Sequence, residues 1–448
     1  MLQISTILAG LATVLLTSAM PLTIPLGTSG QSLSISEDGQ SITLGGKTIN
    51  VRQAMNGDSG CTPKQAGHGK KNPKGQGQGA ASTNAKAVYF ITNAASNSIV
   101  ALKVAADGTL SDGSITPTGG AGMSGVDDKG APAVPDSLFS QGAVKVAGNH
   151  IVAVNPGSNT ISMFSISATD PTVLTMVGKP ANTLGEFPVS VALSTSLSQA
   201  CVANSGAKAG VACFAMSAKD GLTPLDTCLR PFELNQTTPP VGPLNTVSQT
   251  FFNGDSTMLI TTVKGDPTKN NTGFLSVFPV ENNVVSKTET RSSPAGTAVL
   301  FGTALLPNSS DLFVTDASFG AATLSLSSAN IATTLASTKI ADQKATCWAA
   351  FSELTGTTFV TDVAVNHLVE IDPASGNIVK NLASTNGNPG LIDLASAGKF
   401  VYALSPGNAT VGGAVTVFDV SGGKGTAKEV QNFGLTGVPA SAMGMTFI

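Results

Sequence analysis

Val88–Asn93 (VYFITN) is a short β-branched run that ends in a small polar residue, and the chain carries seven versions of it. The other six are Ile151–Asn155 (IVAVN), Ala200–Asn204 (ACVAN), Leu259–Thr262 (LITT), Leu312–Asp316 (LFVTD), Phe359–Asp362 (FVTD) and Val401–Ser405 (VYALS). Their last residues lie 43 to 62 positions apart. This interval is typical of four-stranded propeller blades of about 40–50 residues, some with longer loops.

Two further runs accompany the repeat. A turn and a second alternating run follow each copy, such as Ile99–Leu102 (IVAL), which is the pattern of a β-hairpin. A small apolar run precedes most copies, as in Val189–Leu193 (VSVAL), and suits a crowded inner strand. The first copy lacks this run, but the chain ends with one, Met443–Ile448 (MGMTFI). A stack of β-sandwiches would not explain why the run that is missing before the first copy appears at the end of the chain.

The sequence therefore predicts an all-β, seven-bladed β-propeller over residues 87–448, in which the C-terminal strand closes blade one. Residues 1–19 read as a signal peptide, because the apolar run 4–16 is followed by small residues and is shorter than the about 20 residues of a membrane span. Residues 20–56 form a leader with a hairpin at Asp38-Gly39, and residues 57–86 a flexible linker rich in Gly, Lys and Gln.

Features of a secreted protein recur along the chain. Four sequons lie in stretches rich in Pro, Gly or Asn, which predicts N-glycosylation on surface loops; their acceptors are Asn235, Asn270, Asn308 and Asn408. No second apolar span follows the first segment. We therefore expect a secreted, extracellular glycoprotein without a transmembrane segment. Association with the cell wall is one form of this hypothesis.

The five cysteines are Cys61, Cys201, Cys213, Cys228 and Cys347. In an oxidising compartment some of them pair. Cys201 and Cys213 flank a hairpin-like loop and are candidates for a disulfide across two strands, whereas Cys213 with Cys228 is the competing pair. The odd number leaves at least one thiol that is free or joined to another molecule.

Composition excludes one class of partner. Only 11% of residues are charged, the net charge is −3, and no Lys/Arg stripe is present, so the sequence predicts no nucleic-acid binding. Asp127 and Asp128 are adjacent carboxylates in a long loop, but the spaced ligands of a calcium loop are missing, and no metal site is predicted. No nucleophile, phosphate-loop or dinucleotide motif occurs, and we expect no cofactor.

The seven copies, the signal segment and the leader residues 42–51 (ITLGGKTINV) together resemble fungal secreted proteins of the 3-carboxymuconate cyclase-like family, which are lactonase-type propellers. The resemblance covers nearly the whole mature chain and is specific for fold. It implies either cofactor-independent interconversion of muconates and lactones, as in the cytosolic enzymes, or a cell-surface role as antigen or adhesin, as in some secreted relatives.

The chain departs from the enzymes of that family in its few basic residues. Lactonase-type chains commonly carry a Gly-Pro-Arg-His stretch before an inner strand, and none occurs here. The only histidines are His68, His150 and His367, of which the first lies in the linker and the others in strand runs. No catalytic residue is therefore carried over from the family.

A polyanionic muconate needs converging cationic donors. Arg230 and Arg291 are predicted to lie in loops that lead into inner strands, on one face of the ring, with Lys344 and Glu186 in comparable loops. The three cations would bind an anion and Glu186 would carry the proton. The alternative is that all four are ordinary loop charges, and Trp348 is likewise either a lining residue of the channel mouth or a core residue.

Two functions follow as expectations. The first is a binding, adhesin-like or antigenic surface glycoprotein whose partner is the extracellular matrix, a glycan or a small carboxylated ligand. The second is a muconate cycloisomerase or lactonase with Arg230, Arg291 and Glu186 at the channel mouth. The low number of His and Arg residues favours the first.

Overall fold

The computed structural model describes the backbone of residues 22–26, 31–35, 41–44 and 47–50, and all of residues 84–448 except residue 409. The predicted signal peptide and almost all of the predicted linker lie outside these residues. The chain divides into two compact units, Met1–Thr62 and Pro63–Ile448.

The first unit contains one antiparallel sheet. Its strands follow each other in chain order and are β1 (Leu22–Leu26), β2 (Gln31–Ile35), β3 (Ser41–Leu44) and β4 (Lys47–Asn50). β2 and β3 form the pair around the predicted Asp38-Gly39 turn, with Ile35 opposite Ile42. The sheet therefore has two strands more than a hairpin needs.

The second unit is built from seven antiparallel sheets. Blade one contains β35 (Met443–Phe447), β5 (Ala87–Ile91), β6 (Ser98–Val104) and β7 (Leu110–Pro117). Blade two contains β8 (Val144–Ala147), β9 (His150–Asn155), β10 (Thr160–Ile166), β11 (Leu174–Met176) and β12 (Ala181–Asn182). Blade three contains β13 (Pro188–Ser194), β14 (Gln199–Asn204), β15 (Gly210–Ser217), β16 (Gly221–Pro224) and β17 (Arg230–Pro231). Blade four contains β18 (Val247–Phe252), β19 (Met258–Val263), β20 (Phe274–Glu281), β21 (Val284–Val285) and β22 (Thr290–Ser292).

The remaining three blades have four strands each. Blade five contains β23 (Leu300–Leu305), β24 (Leu312–Asp316), β25 (Gly320–Leu326) and β26 (Ala332–Lys339). Blade six contains β27 (Thr346–Ser352), β28 (Thr357–Asp362), β29 (His367–Ile371) and β30 (Ile378–Ala383). Blade seven contains β31 (Leu394–Ala397), β32 (Phe400–Ser405), β33 (Ala414–Asp419) and β34 (Lys428–Gly434). The seven-bladed propeller predicted from the repeat is confirmed.

The ring closes through its inner strands. Each first strand contacts that of the next blade, from β35 through β8, β13, β18, β23 and β27 to β31, which contacts β35 again. β35 pairs with β5, so that Met443 lies opposite Ile91 and Phe447 opposite Val88. The C-terminal strand therefore completes blade one, as the sequence predicts. In the part of the chain that the structure describes, no helix is long and apolar enough to span a membrane.

The small polar residue at the end of each repeat is buried, and in blades five and six it holds the turn before the inner strand. The carboxylate of Asp316 accepts bonds from the backbone N–H groups of Ala298 and Val299. Asp362 in the next blade does the same for Lys344 and Ala345. A buried carboxylate that accepts several N–H bonds fixes the chain that supplies them. Asp316 and Asp362 therefore each tie the turn before an inner strand to the second strand of the same blade.

The cysteines resolve the open choice of pairing. Cys201 on β14 and Cys213 on β15 are directly opposite each other and form a disulfide. Cys228 is also disulfide-bonded, but not to Cys213. Cys347, at the start of β27, is a buried free thiol. The competing Cys213–Cys228 pair is therefore wrong.

Candidate functional site

Two long loops meet at the channel mouth, on the face where the inner strands begin. They are residues 118–143, between blades one and two, and residues 232–246, between blades three and four. Val126 of the first loop forms a parallel bridge with Val241 of the second. The ring of Phe139 packs so closely against Gly125 and Gly242 that a Cβ on either glycine would lie within 2.4 Å of it. The two loops are therefore locked together over the mouth.

The end of the first loop passes through the centre of the ring. We call residues Ser137–Gly142 the channel segment; all six are buried. Ser140 Oγ donates to the carbonyl of Val189 in blade three. The backbone N–H of Gln141 donates to the carbonyl of Ser248 in blade four. Contacts with inner strands of several blades place this segment at the axis of the propeller.

On the far side of the ring, the channel segment is bonded to blade six. Gln141 Nε2 donates to the carbonyl oxygen of Ala349 at 2.8 Å, and its Oε1 accepts the N–H of the same residue at 3.0 Å. Trp348 Nε1 donates to the carbonyl of Ser140 at 3.0 Å. Trp348 is fully buried beside Phe301. Of the two predicted roles for Trp348, the structure shows the core residue and not a lining residue of the channel mouth.

Lys264 is the first charged group that touches the channel segment. It follows β19 and has no exposed surface, and its Nζ donates to the carbonyl of Phe139 at 2.6 Å and to Ser248 Oγ at 2.8 Å. The same nitrogen lies 4.3 Å from the centre of the Phe301 ring. Burial lowers the pKa of Lys264 to about 7, although the nearby carboxylate of Asp136 favours its charged form.

Asp136 stands just before the channel segment. The residue is partly exposed, but its Oδ1 is buried and has no hydrogen-bond partner among the described residues. Burial raises the pKa of Asp136 to about 7, and Lys264 offsets part of this rise. A carboxyl group with a pKa near 7 beside a lysine with a lowered pKa is an arrangement that can move a proton near neutral pH.

A second acid and base lie at the other end of the channel segment. Asp393, next to β31, is almost fully buried and accepts the N–H groups of Leu394 at 2.9 Å and Gly142 at 3.4 Å. Burial raises its pKa to about 7, against the effect of Lys145. Burial likewise lowers the pKa of Lys145 on β8, which is partly exposed. Burial also raises the pKa of the Cys347 thiol, which makes it a poor nucleophile.

Arg230 does not lie in a loop, as the sequence predicted, but on the outer strand β17. Its side chain is 4% exposed and forms an ion pair with Asp226, which also binds Lys287. Its Nε and Nη2 donate to the carbonyls of Ser286 and Val285 in blade four, and its guanidinium lies over Phe278. Arg230 therefore joins two blades, and its donors have intramolecular partners.

Arg291 also lies on an outer strand, β22 of blade four, and not in a loop before an inner strand. Its guanidinium forms an ion pair with Glu289 and stacks over Phe274 at 3.9 Å from the ring centre. The side chain is 41% exposed. Arg291 thus presents a cation to solvent, but on the outer part of the blade.

Glu186 and Lys344 lie in loops before the inner strands of blades three and six, as predicted. Glu186 accepts a bond from Thr238 Oγ1 at 2.6 Å and pairs with Lys208 at 3.7 Å. Lys344 is exposed. Within residues 84–408 and 410–448, no contact joins any two of Arg230, Arg291, Lys344 and Glu186. The structure does not bring the four residues into one cluster.

The two histidines in the described part of the chain lie in strands, as the sequence predicted, whereas His68 lies outside the described residues. His367 on β29 is almost fully buried 3.7 Å from Asp342, and burial lowers its pKa. Burial also lowers the pKa of His150 at the start of β9. Among the described residues, no group of three or more His, Cys, Asp and Glu side chains could hold a metal ion. All four sequon asparagines are exposed: Asn235, Asn270, Asn308 and Asn408.

Comparison with solved structures shows that this propeller is similar in fold to lactonases. The chain is similar to a periplasmic gluconolactonase from Pseudomonas aeruginosa, with a TM-score of 0.57 and 16% identity over 80% of this chain and 98% of that one. It is also similar to a putative 6-phosphogluconolactonase from Bacteroides uniformis, with a TM-score of 0.54 and 14% identity over the same shares. The chain shares the fold of these lactonases. No protein-family profile and no curated protein matches the sequence.

The same fold is found in a putative 6-phosphogluconolactonase from Bacteroides fragilis, with a TM-score of 0.50 and 11% identity. At such identities the likeness concerns the scaffold and not the reaction. The lactonase-type propeller expected from the repeat is thus the scaffold of this chain, whereas the finer likeness to fungal 3-carboxymuconate cyclases stays a prediction. Sequence reasoning missed the channel segment and the buried groups around it.

Proposed function

We propose that this chain is a secreted, N-glycosylated propeller that acts outside the cell by binding another molecule, on a scaffold that it shares with lactonases. The observation that carries the proposal is the occupied channel. Lys264, Trp348 and the backbone of Ala349 offer polar groups at the centre of the ring, and all three bind the chain's own channel segment. A ligand would have to displace these buried bonds, so the outer surface is the place to bind.

The loops over the mouth are the surface that we propose for binding. Val134 and Val241 are 49% and 41% exposed, and Pro132 beside them is exposed too. Asp127, Asp128 and Lys129 form the neighbouring turn. An apolar patch with a charged border is the composition of a protein-binding site.

The composition of this surface favours a protein partner over a glycan. Both tyrosines and the only tryptophan are buried, and no phenylalanine is among the large exposed apolar residues of the described chain. The apolar C–H faces of sugar rings pack well on exposed aromatic side chains, which this surface does not offer. We therefore propose an extracellular matrix protein as the partner.

The test is adhesion of the purified, glycosylated chain to immobilised fibronectin, collagen and fibrinogen. Val134→Asp together with Val241→Asp is expected to reduce binding at least tenfold, because two charges would enter the apolar patch. Val173→Asp is the matched control, since Val173 is 51% exposed but lies in blade two, away from these loops. Binding that the double variant leaves unchanged, or no binding to any of the three proteins, would contradict the proposal.

Secretion and glycosylation are tested separately. The chain expressed in a eukaryotic host is expected in the medium, with a mass that falls on treatment with an N-glycosidase. Replacement of the four exposed sequon asparagines by glutamine should remove that fall. A chain that stays inside the cell, or an unaltered mass, would refute this part of the proposal.

A second candidate function is hydrolysis or isomerisation of a lactone or carboxylated muconate. Asp136 is the observation that favours it, since its pKa is near 7 and a buried oxygen has no partner among the described residues. Such a carboxyl group can act as a general base. The test is loss of ultraviolet absorbance of 3-carboxy-cis,cis-muconate and acid release from glucono-δ-lactone. Turnover abolished by Asp136→Asn would support this function, and no turnover by the wild-type chain would exclude these two substrates.

A further inference from the structure

A cleft lies on the outside of the propeller, where blade seven meets blade one. Its volume is about 240 Å³. One wall is the outer strand of blade one, β7, and buried residues of β6 form the floor. The other wall is the end of β34 in blade seven, with the segment that follows it. Among the residues that line the cleft are Leu102, Asp112, Ile115, Phe433, Leu435 and Val438.

The two outer strands are held together at one end of the cleft by the side chain of Gln431. Its Nε2 donates to the carbonyl of Leu110 at 3.0 Å, and its Oε1 accepts the N–H of the same residue at 2.6 Å. Beyond this pair, Phe433 and Leu435 line the cleft from blade seven and Ile115 lines it from blade one. The cleft is therefore a slot between two strands whose spacing Gln431 fixes.

A β-bulge shapes the wall that blade one contributes. The register of β6 with β7 leaves Asp112 and Gly113 both opposite Leu102. A bulge bends its strand and changes the direction of a side chain, and bulges are frequent beside active sites. Gly113 suits this bulge, because a Cβ there would lie 2.2 Å from the carbonyl oxygen of Ala101. The bulge thus sets the carboxylate of Asp112 at the border of the cleft.

The lining of the cleft is mostly apolar and carries one charge. Ile115 is 57% exposed, and Phe433, Leu435 and Val438 are half-buried. A ligand that covers these side chains gains the free energy of removing apolar surface from water. Among the described residues that line the cleft, Asp112 is the only one with a charged side chain. A carboxylate beside an apolar slot favours a ligand with a cationic group and disfavours an anion.

We propose that this cleft binds a small aromatic amine, with its ring between Ile115 and Leu435 and its ammonium group on Asp112. An apolar cavity of about 150 Å³ holds one benzene molecule, so the cleft has room for one ring with a short chain. Phe433 offers a ring for an aromatic contact. None of the described residues that line the cleft belongs to the loops over the channel mouth or to the channel segment, so this site stands or falls independently of the proposed binding function.

Three ligands of similar size test the site by titration in saturation-transfer NMR at pH 7. They are 2-phenylethylamine, which is positively charged, 2-phenylethanol, which is neutral, and 3-phenylpropionate, which is negatively charged. We expect saturable binding of the amine with a Kd of about 5 mM or lower, since so small a ligand binds weakly. The alcohol should bind about three- to fivefold more weakly, which is the contribution of an exposed ion pair, and the carboxylate more weakly still. No saturable binding of the amine, or equal binding of the amine and the alcohol, would overturn the proposal.

Two exposed positions of the cleft locate the binding. Asp112→Asn is expected to raise the Kd of the amine to that of the alcohol, because it removes the charge and keeps the size of the side chain. Ile115→Lys should weaken binding of the amine at least tenfold, because it removes apolar surface and sets a competing ammonium group beside Asp112. Ile378→Lys is the matched control, since Ile378 is 43% exposed on the outer strand β30 of blade six. Equal affinities of the two lysine variants, or an amine affinity that Asp112→Asn leaves unchanged, would contradict the proposed site.

Discussion

Gln141 and Ala349 join opposite sides of the propeller through two hydrogen bonds. The amide of Gln141, in the segment before blade two, both donates to and accepts from the backbone of Ala349 on the inner strand of blade six. Gly302 makes room for this amide, because a Cβ there would lie 2.1 Å from Gln141 Oε1. The channel is thus braced across its axis by the chain itself.

Replacing this side chain should destabilise the whole ring. Gln141→Ala leaves the N–H and C=O of Ala349 buried without partners, and each such group costs about 1–3 kcal/mol. We expect a loss of about 2–5 kcal/mol in the free energy of unfolding, measured by urea titration. Lys344→Ala, which truncates an exposed side chain, should change it by less than about 0.5 kcal/mol. Equal stability of the two variants would show that the brace contributes nothing.

The raised pKa of Asp393 predicts how stability depends on pH. Its pKa is about 7 in the folded chain, against an ordinary value of 3.8, so the folded state holds the proton to higher pH. The stabilising contribution is therefore complete below about pH 4 and is lost as the pH rises to about 7. Asp393→Asn keeps an acceptor for Gly142 and Leu394 but does not titrate, so stability should fall less between pH 4.5 and pH 8 than in the wild type.

The expected difference between the two falls is roughly 2–4 kcal/mol, because each pKa unit corresponds to about 1.4 kcal/mol and the interval from pH 4.5 to pH 8 covers most of the shift of the pKa from 3.8 to about 7. Unfolding by urea at both pH values measures it. Asp136 titrates in the same range in both proteins, so the fall should shrink and not disappear. A fall of the same size in both would mean that Asp393 has an ordinary pKa.

Arg230 and Arg291 should respond differently to the same substitution. Arg230→Ala leaves Asp226 buried with only Lys287 beside it, and loss of one partner of a buried pair costs about 3–5 kcal/mol. Arg291→Ala breaks an exposed pair and should cost at most about 1 kcal/mol. Thermal unfolding of both variants measures the contrast, which would vanish if Arg230 were a free ligand-binding side chain.

The Arg291→Ala variant also tests the anion site predicted from the sequence. Titration of folded Arg291→Ala with a muconate should give the wild-type result, because its cation lies on an outer strand away from the channel mouth. A loss of muconate binding in this variant would support the predicted anion site, although Arg291 lies on an outer strand.

The cross-strand disulfide should stabilise the chain in proportion to the loop that it closes. Cys201 and Cys213 are 12 residues apart, and a loop of that size contributes about 3 kcal/mol. Replacing both by alanine should lower the free energy of unfolding by about that amount in oxidising buffer. With both proteins fully reduced, which also breaks the disulfide of Cys228, the two should unfold at nearly the same urea concentration. A difference that persists after reduction would trace the loss to packing.

The blades were predictable from the sequence because their signals are local and repeated. Alternation around turns predicted the hairpins. The small polar residue at the end of each repeat, such as Asp316 or Asp362, marked each blade. The missing first strand and its return at Met443–Ile448 gave the closure. The hairpin patterns depend on neighbours within about ten residues, and the closure follows from comparing the first repeat with the C-terminal run, so a sequence shows both directly.

The centre of the molecule was not predictable in this way. Ser137–Gly142 has the composition of a surface loop, and only its contacts with blades far along the chain make it a core element. Arg230 was placed in a loop, although Asp226 four residues earlier was a signal for an ion pair. Burial of a charged side chain depends on which blade packs against it, and no local pattern carries that information.

Blade one also sets an order on the biosynthesis of the protein. Its strands β5, β6 and β7 precede the other six blades in the chain, but their inner neighbour, β35, is synthesised only after all of them. Until then, β5 has an open inner edge that invites pairing with other nascent chains. The ring can close only after β35 has left the ribosome, so the early blades must be shielded while the other six are synthesised. We therefore expect the chain to depend on chaperones during its synthesis more than a protein whose first domain folds on its own.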